Sequence, residues 1–100
     1  MKLQEIKTYL VTDIEDLGYT LNDALEVRVL LDNPFYLAEC VDSEFSLELG
    51  SGSTPEDATL KLVKVIIADM EDEQRYLKEG KIGAYAYKML ERHEKMFKRL

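Results

Sequence analysis

The chain has 100 residues, 46% hydrophobic and 33% charged, with a net charge of -7 from 20 acidic and 13 basic side chains. This composition supports one core across residues 1–100 and excludes both a disordered tail and direct binding to DNA or RNA, which requires clustered Lys and Arg. No apolar run reaches the roughly 18–20 residues of a membrane span, the charged start Met1-Lys2-Leu3-Gln4-Glu5 is unlike a secretory signal, and a lone Cys40 fits a reducing, cytoplasmic setting.

In chain order, Leu3, Ile6, Leu10, Ile14 and Leu17 recur every three or four residues, which predicts an amphipathic helix over 2–17 stopped by Gly18. Residues 19–23 read as a connector. Leu25, Val27, Val29 and Leu31 alternate with charged positions, the period of a half-buried strand. Asp32-Asn33-Pro34 signals a turn, and Phe35 to Cys40 a second strand. After the turn at Asp42-Ser43-Glu44, alternation predicts a third strand over 45–49, with Phe45, Leu47 and Leu49 inward. Short turns between strands imply an antiparallel meander.

Gly50-Ser51-Gly52-Ser53 reads as a flexible turn. Thr54-Pro55-Glu56-Asp57 is a helix start: a capping hydroxyl, a proline at the first position and acids at the positive end of the dipole. The helix is expected over 55–79, with Leu62, Val63, Ile66, Ile67, Met70 and Leu77 inward and Gly80 as its end. A last helix is expected over 82–100, striped by Ile82, Tyr85, Ala86, Met89, His93, Met96 and Leu100. The predicted fold class is therefore α+β, in the order α-β-β-β-α-α.

Local motifs offer no enzyme. His93 sits on an apolar stripe without a neighbouring nucleophile, and the acids flanking Cys40 disfavour a thiolate. The run Asp69-Met70-Glu71-Asp72-Glu73 has the oxygens but not the loop of a calcium site, and reads as a solvated helix face. No lysine follows Gly50-Ser51-Gly52-Ser53-Thr54 as a phosphate loop needs. No cofactor and no metal is expected.

What remains is charge. Residues 1–80 carry a net -11 and residues 81–100 a net +4. Asp13, Glu15 and Asp16 fall at the end of the predicted first helix, where acids oppose the dipole, which points to a role beyond helix stability. Glu44 and Glu48 are expected on the solvent side of the third strand, Glu26 on the first strand, Asp42 at the adjoining turn, and Asp69, Asp72 and Glu73 on the long helix. If these acids share a surface, their spacing imitates a run of phosphates. Tyr36, among the six tyrosines, is expected to add a contact anchor.

Phe35-Tyr36-Leu37-Ala38-Glu39-Cys40, a short turn and strand, and then Gly52-Ser53-Thr54-Pro55-Glu56-Asp57-Ala58 resemble the HicB-like antitoxin domain, with its aromatic-Ala-Glu strand and its G-x-T-x-E-E-A helix start. The resemblance spans about residues 25–67. Val41-Asp42-Ser43-Glu44 replaces the family's Pro-Gly turn, a helix is expected before the strands, and no DNA-binding module fits after residue 67. The resemblance implies a small domain that blocks a basic, RNA-cutting toxin, and it carries over no site residue. In size and charge the chain is also similar to phage anti-defence proteins such as anti-CRISPRs.

The sequence therefore leads to a non-enzymatic inhibitor or regulator that docks on a basic nucleic-acid-binding or nucleic-acid-cutting protein. The alternatives are a HicB-like antitoxin or adaptor, and an oligomeric accessory protein forming a homodimer through residues 82–100.

Overall fold

The computed structural model describes residues 4–100. Its elements are β1 (Gln4–Val11), a single 3-10 turn (Glu15–Leu17), β2 (Tyr19–Leu21), β3 (Leu25–Asp32), β4 (Phe35–Cys40), β5 (Leu49–Gly52), α1 (Pro55–Lys78), α2 (Ala84–Met96) and β6 (Phe97–Arg99). The α+β class holds, but the expected order does not. The N-terminal half is rich in strands, and the six strands form two sheets ahead of and around the two helices. One sheet has the order β1-β3-β4-β5, all antiparallel, and the other pairs β2 with β6.

The largest correction is at the N-terminus, where a strand replaces the expected helix. Lys2 and Leu3 lie outside the described residues. From Gln4 the chain pairs with β3, with an irregularity in register between Glu5 and Lys7. Ile6, Thr8, Tyr9 and Val11 are β-branched or aromatic, and such side chains fit a pleated surface better than a helix. The helical spacing was misleading because its members do different work. Leu10 is on a strand and 67% exposed, whereas Ile14 is buried beside the 3-10 turn. Gly18 still ends a helical segment, with φ 84°, but the segment is one turn long.

β3 and β4 match the two strands predicted for 25–31 and 35–40. The third does not. Residues 45–48 form no strand, Phe45 is buried, and Leu47 is 75% exposed. The strand begins at Leu49 and uses the segment read as a flexible turn. Gly50 and Gly52 lie on the face that meets α1. A Cβ on Gly50 would stand 2.3 Å from both the Ala58 oxygen and the Leu62 nitrogen, and one on Gly52 would stand 2.5 Å from the Ala58 nitrogen. The glycines are there so that a helix can lie flush on the strand.

The register assigns the two faces of the sheet. Tyr9, Val27 and Cys40 share one row, and Lys7, Val29, Ala38 and Gly50 the next. This face packs under Ala58, Leu62, Val63, Ile66, Ile67 and Met70 of α1 to form the core. On the other face Arg28 stands between Glu5 and Glu39, at 3.8 and 3.0 Å.

α1 runs over the predicted span, except that Leu77, expected inward, is 45% exposed. The Thr54 hydroxyl accepts from the Asp57 amide at 3.0 Å, and Gly80 follows the helix with φ 72°. α2 is shorter than expected. Asn22 intercepts its C-terminus, donating from Nδ2 to the Lys95 carbonyl at 2.6 Å and from its amide to the Met96 carbonyl at 2.8 Å. Phe97–Arg99 then pair with β2. The Arg99 guanidinium donates to the Tyr19 hydroxyl at 2.8 Å and to Glu71 at 3.2 Å, tying the small sheet to α1. No helix of the described residues is long and apolar enough to cross a membrane.

Candidate binding site

Asp13, Glu15 and Asp16 do not sit at a helix C-terminus. Glu15 and Asp16 open the 3-10 turn, and Asp13 precedes it, its Oδ1 accepting from the Glu15 amide at 3.0 Å. The conflict with a helix dipole disappears because the helix does. All three side chains are exposed, and among the described residues none forms an ion pair with Lys or Arg.

These acids edge a groove of about 300 Å³ between the end of β1, the 3-10 turn and the first turns of α1. α1 lies mainly over β4 and β5, so this end of the sheet is left partly uncovered. Tyr9, Val11, Ile14, Leu17, Leu60 and Val63 give the groove apolar walls, and Glu56 faces the other three acids from α1. The signal for this place was the set of acids at the supposed helix end. Glu56, Leu60 and Val63 went unrecognised because they join the site only through the packing of α1.

The other expected binding residues do not gather around it. Glu26 is exposed on the open sheet face, in register with Leu10. Tyr36 is half-buried, in register with Leu31 and Gly52 on the α1 side, and packs against the core. Asp42 builds a turn: its Oδ1 accepts from the Glu44 amide at 3.0 Å and its carbonyl from the Phe45 amide at 3.0 Å. Glu44 meets Arg92 at 3.4 Å, and Asp72 meets Arg75 at 3.2 Å.

Glu48, Asp69 and Glu73 form a second group around a small hollow of about 110 Å³ with Ser46, Tyr85, Met89 and His93. The run 69–73 is therefore not simply a solvated helix face. Glu73 turns inward, its side chain 13% exposed, and lies 2.7 Å from Nδ1 of the buried His93. The His93 Nε2 atom is buried, and among the described residues it has no hydrogen-bond partner. Burial, and then the neighbouring Asp69 carboxylate, raise the Glu48 carboxyl above its ordinary value. Among the described residues no set of three such side chains is arranged to hold a metal ion. Cys40 is buried on β4. Desolvation first, then Asp42 and Glu39, push its thiol up to about 12, so it carries no thiolate at neutral pH.

The stripe predicted on the last helix is used within the chain only in part. His93 is buried and Ile82 and Met96 pack against the core, but Tyr85 and Leu100 are each 68% exposed, and the buried positions next to His93 are Leu90 and Phe97, which the stripe did not include. No family model, curated protein or solved structure matches the chain.

Proposed function

We propose that this chain is a non-enzymatic binding protein that inhibits or regulates a basic partner, one that binds or cuts nucleic acid. The observation that carries the reading is the cluster of Asp13, Glu15, Asp16 and Glu56 around one apolar groove, with no internal cation paired to any of them among the described residues. Four carboxylates converging on one concave surface steer a basic protein toward it, and the apolar walls supply area to hold it. The reading is narrower than mimicry of a long phosphate run. Glu44, Glu71 and Asp72 are paired with arginines, and Glu73 with His93; unpaired acids such as Glu26 and Asp42 lie elsewhere, but only at the groove do four of them line one apolar hollow among the described residues. A small basic toxin encoded beside the chain fits this class of partner as well as a nucleic-acid-cutting defence protein does.

The test is affinity capture from the native host, with the tagged protein immobilised at low salt and partners eluted by rising salt. The expected result is a basic protein released as salt screens the contact. A partner without excess Lys and Arg, or one retained at high salt, refutes the reading.

A further inference from the structure

We infer that the groove between β1, the 3-10 turn and α1 is the docking site for a short segment of the partner that carries aliphatic side chains flanked by Lys or Arg. This inference rests on the function proposed above and names the chemistry the site selects. The walls and the rim ask for different things of one ligand. Tyr9, Val11, Ile14, Leu17, Leu60 and Val63 form an apolar trough, and they accept side chains that gain by leaving water. A volume of about 300 Å³ is at the lower end for ligand pockets, which suits a few side chains of a peptide rather than a folded domain.

The rim excludes most apolar ligands. Asp13, Glu15 and Asp16 stand on one side and Glu56 on the other, and among the described residues no Lys, Arg or His lines the groove, although the Lys7 Nζ lies 4.9 Å from the ring centroid of Tyr9. An acidic or phosphorylated segment meets repulsion from both banks. A neutral apolar segment leaves four carboxylates partly desolvated with nothing in exchange. A segment with cationic side chains beside its aliphatic ones satisfies both, and a long lysine or arginine stem adds apolar contact of its own.

The groove is also open to such a ligand. Leu60 is 45% exposed on α1, and the four carboxylates are all exposed. Asp13 is held by the Glu15 amide, so less of its side-chain freedom is lost on binding.

The experiment uses the full chain, labelled with ¹⁵N, and three synthetic peptides: one alternating leucine and lysine, one in which glutamate replaces each lysine, and one in which serine replaces each leucine. The first is expected to shift amides in 9–17 and 56–63 selectively, with affinity falling about tenfold as salt is raised through the physiological range. The other two are expected to bind at least about tenfold more weakly. Leu60→Lys, at an exposed helix position, is expected to remove binding. If that variant proves unstable, Asp16→Asn combined with Glu56→Gln serves instead, and both should weaken binding while leaving the spectrum folded.

Shifts centred elsewhere, equal binding of the glutamate peptide, or a concentration-dependent dimer that occupies the groove in place of peptide would each overturn the inference. Capture of a basic, salt-released partner that Leu60→Lys binds as well as the native chain would remove the groove and leave the proposed function standing. Capture of a partner without basic character would remove the function itself.

Discussion

Replacing Gly50 with alanine tests the placement of α1, and with it one wall of the groove. The added methyl would meet backbone, not a side chain that can swing away: the Ala58 oxygen and Leu62 nitrogen at 2.3 Å and the Leu62 Cα at 2.8 Å. Ordinary contact begins at 3.4 Å, so helix and strand must separate by about 1 Å. A gap of about 0.5–1 Å forfeits a quarter to a half of the dispersion well for each atom pair across it. Here the pairs involve Ala58, Leu62, Val63 and Ile66, all buried. We expect a loss of about 3 kcal/mol, seen as a fall in melting temperature of about 12–24 °C for a domain of this size. Ser51→Ala is the control. It lies on the same strand but is exposed, and should change stability by less than about 0.5 kcal/mol. Circular dichroism during heating and urea titration reads both. If Gly50→Ala melts with the control, α1 is not seated on β5 and the groove loses its floor plan.

Three further outcomes follow from single groups. Thr54→Ala removes the cap that accepts from Asp57 and should cost about 1 kcal/mol, or about 4–8 °C in melting temperature. Because the folded Glu48 carboxyl is raised, the folded state holds its proton more readily than the unfolded state, so its contribution to stability declines as pH rises from the ordinary glutamate value to the raised one. Glu48→Gln should therefore raise the neutral-pH melting temperature, with the gain vanishing in acid; a gain that persists unchanged in acid refutes the assignment. Cys40 should resist a thiol-alkylating reagent at neutral pH in the folded protein and react fully in urea, and native-state labelling would contradict its burial.

The parts of the fold legible in the sequence were those fixed by local chemistry. The alternation of 25–31 and the aromatic run 35–40 gave strands in place, and Thr54-Pro55-Glu56-Asp57 placed the start of α1 to the residue. What was not legible depends on distant partners. Phe97 to Arg99 continue a helical pattern, and it is β2 and Asn22, far away in sequence, that draw them into a strand. Gly50 and Gly52 suggest flexibility until the helix lying on them is known. At the N-terminus two periods compete in one short segment, and β3, which has a free edge to pair with, decides between them. The site divides in the same way. Asp13, Glu15 and Asp16 could be picked out from an electrostatic conflict, but Glu56 joins them only after α1 folds back over the sheet.

Three surfaces collect carboxylates, and their surroundings separate what each can do. On the open sheet face Glu5 and Glu39 are answered by Arg28 between them, so a cationic partner would compete with a cation already in place. Around the small hollow, Glu73 is committed to His93, and desolvation, then the neighbouring Asp69, raise the Glu48 carboxyl. At the groove none of the four acids is paired with an internal cation among the described residues. Among the described residues no internal cation offsets the repulsion of like charges there, and a cation brought by a partner recovers that energy in the bound state. This difference in neutralisation, more than the number of acids at each place, favours the groove as the docking surface.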